Sequence, residues 1–198
     1  HGIWWKNTWH EAAARVPFIV SLPEHRRGEL PALEIDDPVS LADLFPTFCG
    51  LAGIEPAADL DGVDLSSAIR GDSCPALDAR PGVITESLNP RWGEGTEFRM
   101  IRSKRHKYIA FRGCEDLAFD LWADADEQKN VLTAADTSME GNSALEQLRT
   151  AALEGFDFDR VEALRKSQVA ELRERFPARV QCVTTTQVLR GDGRLVEA

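Results

Sequence analysis

The chain has 198 residues, 43% of them hydrophobic and 28% charged, with a formal net charge of −10. That is enough apolar material for a real core, and the acidity argues against nucleic acid as a partner unless one face is strongly basic. The longest apolar run, residues 16–22, falls far short of the roughly 20 residues that cross a bilayer, so no membrane insertion is expected.

The first nine residues, HGIWWKNTW, set Lys6 among Trp4, Trp5 and Trp9. A short helix is predicted over 8–14, with Asn7 or Thr8 as cap and Glu11 as a capping-box acid, and Pro17 forbids its continuation. The proline-bounded run FIVSL, 18–22, reads as a strand buried on both faces, as in a parallel or mixed sheet covered by helices. Residues 24–38, punctuated by Gly28, Pro31 and Pro38, read as an exposed connection.

From Ser40 the apolar positions Leu41, Leu44, Phe45, Phe48, Leu51 and Ala52 recur at helical spacing. Ser40 and Asp43 form a capping box, Pro46 kinks the helix or confines its regular part to the residues after it, and Gly53 is the natural stop. A turn, a short helix near 65–69 and a proline-bearing linker to about 81 come next. The runs GVITESL, FRMIRSKRHKYIAF and EDLAFDLW then predict an antiparallel meander over about 83–121.

The acidic DADE at 124–127 suggests calcium at first sight, but it lacks the ligand ladder and central glycine of an EF-hand; a strand exit leading to a helix cap fits as well. Two helices come after it, over 143–155 and 158–176, the second lined with paired charges. Cys49, Cys74, Cys114 and Cys182 form no CxxC pair, and His1, His10, His25 and His106 lack metal-ligand spacing, so no metal is assigned to them.

Four blocks in one order carry a resemblance. HGIWWKNTWHEAAARVPFIV resembles the sulfatase-family segment GEHGLWWKxTxYEExxRVPLIV. VSLADLFPTFCGLAGI, LDGVDLSSAI and FRMIRSKRHKYIAFRGCEDLAFDLWADADEQKNV resemble later blocks of the same family, over residues 1–132. Choline-sulfatase-like and iduronate-sulfatase-like members share the style of the opening.

The resemblance implies an α/β fold of the alkaline-phosphatase-like superfamily, a large mixed sheet between helices with a small antiparallel sheet near the C-terminus. Residues 1–81 would belong to the large domain, and 82–198 to a C-terminal subdomain with the small sheet and a helical tail. It further implies the C-terminal portion of a sulfuric ester hydrolase, beginning just after an Asp-His-Gly metal motif. With the start of the chain in mid-pattern, localisation is left open between cytoplasm and periplasm.

The family's nucleophile is a formylglycine made from the first residue of Cys/Ser-x-Pro-Ser-Arg, and no such motif occurs in this sequence. Its Ca²⁺ would be held by residues upstream, so no catalytic or metal residue is assigned here and the chain alone is expected to be inactive. Lys6 falls on the lysine that faces the sulfate oxygens, where a compact ammonium neutralises the sulfuryl group. On composition alone, a lysine among tryptophans reads instead as a snorkelling surface residue.

His1 matches a position that is histidine in many members but varies across subfamilies; it is a substrate-binding candidate, at the pocket rim or behind the groups that touch substrate, with a merely structural role equally open. Trp4, Trp5 and Trp9 wall the pocket or belong to the core, and NPRWGEG at 89–95 is a loop suited to touch substrate. His10 departs from the usual aromatic and Ala125 from the usual proline. The expected partner is a small-molecule or sugar sulfate ester. The competing readings are a phosphonate monoester or phosphodiester hydrolase of the same superfamily, and a non-catalytic lobe.

Overall fold

A four-stranded antiparallel meander organises this computed structural model, which describes residues 8–56, 59–88, 93, 95–133, 139–176, 187–189 and 195–197. Strands β1 (Val83–Ser87), β2 (Phe98–Arg102), β3 (His106–Phe111) and β4 (Leu117–Asp120) lie side by side in chain order. The small sheet expected over 83–121 is present. Its register pairs Ile101 with Tyr108 and Met100 with Ile109. Because side chains alternate between faces, each of these pairs commits one surface of the sheet.

On one surface Ile101, Tyr108, Ala110 and Ala118 pack against Leu145, Leu148 and Ala152 of helix α6 (Met139–Leu153). On the other, Phe98, Met100, Ile109 and Phe119 meet Trp9, Ala14, Phe111, Leu117 and Leu121. The Tyr108 hydroxyl donates to Asp116 Oδ2 at 2.5 Å, and Asp116 Oδ1 accepts from the Phe111 amide at 3.0 Å. One carboxylate thus closes the β3–β4 turn.

The N-terminal helix is shorter than its sequence suggested. Helix α1 spans Glu11–Ala14, His10 is its cap residue but its side chain does not cap the helix amides, and Thr8 lies in the preceding bend. Residues 18–22 carry no strand, contrary to the reading of FIVSL; Ile19 is 89% exposed and Phe18 43%. A strand needs a partner for its amide and carbonyl groups, and no described strand lies beside this run.

The next connection contains helix α2 (Pro23–Arg27), ended by Gly28 in the left-handed region. A 3-10 turn, Leu41–Asp43, leads into helix α3 (Leu44–Ala52), and here the cap and stop signals hold, although the regular helix begins at Leu44 and not after Pro46. The Ala42 amide donates to Ser40 Oγ at 3.2 Å and the Ser40 amide to Asp43 Oδ2 at 2.7 Å. Pro46 sits in the first turn, where its missing N–H costs nothing. Gly53, at φ 68°, stops the helix, and the Ile54 amide closes back on the Cys49 carbonyl at 2.9 Å.

Helices α4 (Ser66–Arg70) and α5 (Pro75–Asp78) complete a second cluster of Leu65, Ile69, Cys74 and Leu77. Its clasp is the fully buried Asp43, which takes Arg80 Nη1 at 2.8 Å, the Val63 amide at 2.8 Å and the Ser40 amide. A Cβ on Gly62 would lie 2.1 Å from the Ala42 carbonyl oxygen, so the chain passes there only as glycine.

The chain divides into two units, residues 1–156 and 157–198. The second holds helix α7 (Phe158–Arg175), with Asp157 Oδ1 accepting from the Arg160 amide at 2.7 Å. It also holds an antiparallel pair, β5 (Gln187–Leu189) and β6 (Leu195–Glu197), which the sequence did not announce.

Candidate functional site

Lys6, His1, Trp4 and Trp5 lie outside the described residues, as do 89–92 and 94 of the NPRWGEG loop. The described structure begins at Thr8 and shows how the segment after Lys6 is held. Trp9 lies edge-on to Phe98 and Phe111, with ring centroids 5.6 and 4.9 Å apart. Of the two roles open to it, this tryptophan fills the core of the sheet.

Beside it stands a buried charge cluster. Lys107 lies on β3 in the row shared with Ile109 and Phe111, and its side chain is fully buried. Its ammonium has three protons to place. One goes to the Trp9 carbonyl at 3.0 Å, and Glu127 Oε1 and Glu11 Oε1 each lie 2.6 Å away. Glu127 Oε2 accepts from the Glu11 amide at 2.7 Å and lies 3.4 Å from His10 Nδ1. Arg102 Nη2, 3.4 Å from Glu11 Oε2, adds a second cation.

Burial holds the His10 imidazole below its ordinary 6.5, against the pull of Glu127. Burial would raise Glu11, but the Lys107 ammonium and then the Arg102 guanidinium outweigh it and hold that carboxyl below 4.5. Thr8 Oγ1 and Trp9 Nε1 are buried polar atoms with no hydrogen-bond partner among the described residues.

The DADE stretch resolves as a turn and not a helix cap. Asp120 Oδ1 accepts from the Trp122 amide at 3.1 Å, Asp124 Oδ2 accepts from the Lys129 amide at 2.7 Å, and Glu127 turns inward to Lys107. Glu127 takes φ 53°, a left-handed conformation that a residue with a Cβ rarely adopts and here holds in the grip of the cluster. Among the described residues no three His, Cys, Asp or Glu side chains are grouped so that they could hold a metal ion. No described helix is long and apolar enough to cross a membrane.

Sequence reasoning did not single out Lys107, and it met Glu127 only as one of the DADE acids. One signal was available: in HKYIAF the alternation that puts Ile109 and Phe111 on an apolar face puts Lys107 there too, and a lysine in that row must find carboxylates.

No family model matches the chain. It is 30% identical over 125 residues to a Δ4,5-hexuronate-2-O-sulfatase of Bacteroides thetaiotaomicron, a match covering 63% of this chain and 25% of the relative. It is 29% identical over 138 residues to arylsulfatase K of Homo sapiens, covering 66% of this chain and 25% of that one. Among solved structures, a phosphonate monoester hydrolase of Agrobacterium radiobacter superposes with a TM-score of 0.47 at 23% identity, over 81% of this chain and 29% of the other. The chain spans about a quarter of the length of the curated relatives it matches. Its order of motifs and these curated relatives agree: over about two thirds of its length the chain is similar in sequence to proteins named as sulfatases.

Proposed function

We propose that the protein carrying this sequence hydrolyses sulfate esters, and that this stretch supplies Lys6 to hold the sulfuryl oxygens, with His1 at the rim of the pocket. The observation that carries the reading is the sequence relationship with proteins named as sulfatases, over a span that contains most of the described residues. One relative is named for a hexuronate 2-O-sulfate, which makes a sulfated sugar the first substrate class to try.

The chemistry suits the residue. A compact ammonium beside the ester neutralises the sulfuryl charge and stabilises the leaving oxygen as negative charge builds on it. The nucleophile and the divalent cation would come from sequence outside these 198 residues, which contain no Cys/Ser-x-Pro-Ser-Arg motif. The chain alone would then turn over nothing.

The test is turnover of 4-nitrophenyl sulfate and of a 2-O-sulfated unsaturated uronide by the full-length protein, with a phosphonate monoester as the competing substrate. Lys6→Ala should lower kcat/KM about a hundred-fold or more, the loss typical of one preorganised transition-state contact. Lys6→Arg should not restore it fully, because a planar fork does not fit the place of a point charge. Near-normal turnover in Lys6→Ala would return Lys6 to the surface.

A further inference from the structure

Burying an ammonium in a sheet is an expensive way to fill space, since a well-packed apolar side chain of similar volume is often as stable or more so. What Lys107 and Glu127 provide that an apolar residue lacks is direction. Three consecutive residues of the incoming segment meet this pair through different atoms: the Trp9 carbonyl and Glu11 Oε1 at the ammonium, the Glu11 amide and His10 Nδ1 at the carboxylate. Apolar contacts let a segment slide or rotate, whereas these set both its height over β3 and the way it faces.

Lys6 lies three residues before Trp9, within about 10 Å of chain. The chain that carries it therefore leaves from an anchored point, and about 1 Å of misplacement of a reacting group is enough to impair a reaction severely.

We propose that Lys107 is a positioning residue: together with Glu127 and Glu11 it aims the segment that bears Lys6. This rests on the reading of Lys6 as the sulfate-contacting residue. Lys107 touches no substrate and acts through the backbone of Trp9 and the side chain and amide of Glu11.

The experiment combines hydrogen exchange with a double-mutant cycle in the full-length protein. In Lys107→Met, exchange in a peptide covering 8–15 should rise about ten-fold or more, as expected for loss of charge-assisted hydrogen bonds, while a peptide covering 98–111 keeps its protection. Turnover of the sulfate ester should fall, and Lys6→Ala added to Lys107→Met should cost less than it does alone, because the two changes remove one function. Glu127→Gln, which keeps size and one acceptor, should give the same pattern more weakly and serves if Lys107→Met does not fold.

Unchanged exchange at 8–15, or equal loss of protection across the sheet, would overturn the positioning role. Strictly additive losses would overturn it while leaving Lys6 in place. Normal turnover in Lys6→Ala, with exchange at 8–15 still raised in Lys107→Met, would instead overturn the reading of Lys6 and leave a clamp with nothing to aim.

Discussion

The meander and residues 16–54 use similar apolar side chains to opposite ends. In the meander, Ile101, Ile109 and Phe119 are at most 3% exposed, covered by α6 on one face and by Trp9 and Ala14 on the other. In the preceding stretch, Val16, Ile19, Leu41, Phe45, Phe48 and Ile54 are each more than half exposed. Leu41, Phe45, Phe48 and Ala52 share the outer side of α3 and its leading turn, while Pro46 and Thr47 face in.

The sheet thus closes its core within the described residues, whereas the earlier stretch holds its shape through polar clasps and leaves an apolar face uncovered. Such a face marks a packing or interaction surface, in a chain that spans a quarter of its relatives' length. Hydrophobicity alone therefore does not say which residues are core; the neighbours available do.

The sharpest way to break this comparison is to remove the clasp. Asp43→Ala leaves the Arg80 guanidinium, 15% exposed, without its carboxylate, and should cost about 3–5 kcal/mol, measured by denaturant unfolding. A loss below about 1 kcal/mol would mean that the cluster of Leu65, Ile69, Cys74 and Leu77 holds the stretch unaided.

The same carboxylate predicts the pH response. Burial would raise Asp43, but Arg80 and then the Ser40 and Val63 amides hold it below its ordinary 3.8. A depressed carboxyl stabilises the fold above its unfolded value, and that contribution is lost as pH falls through the folded one. The wild-type chain should therefore weaken on acidification below about pH 4, and Asp43→Asn should flatten that part of the profile. Equal acid sensitivity in both would point to other carboxylates.

A single substitution sharpens the contrast between the regions. Ile109→Val removes a methylene from a fully buried site and should cost about 0.5–1.5 kcal/mol. Ile19→Val makes the same change at 89% exposure and should fall within about 0.5 kcal/mol of wild type. Equal costs would show Ile19 covered in solution. The smallest effect on stability belongs to Phe45→Gln with Phe48→Gln, also within about 0.5 kcal/mol for each surface change, accompanied by weaker binding of an apolar dye and less self-association.

What the sequence determined by itself was local. The Ser40–Asp43 box, the stop at Gly53 and the strand-turn alternation of 83–121 involve bonds and sterics among near neighbours, and each appears in the structure. The order of four motifs pointed to a likeness with sulfatases, because such blocks are matched one after another along the chain, and the curated relatives are proteins of that name.

Only the tertiary structure decided the rest. FIVSL is apolar in any context, but whether it forms a strand depends on a partner's amides, and none of the described strands flanks it. The acids of DADE look alike in sequence; the fold turns Glu127 alone onto Lys107, 20 positions away. Lys107 in turn reaches the Trp9 carbonyl across 98 positions. Contacts of that separation form only when the register of β3 and the packing of the N-terminal segment coincide, and no local periodicity encodes which residue will be waiting there.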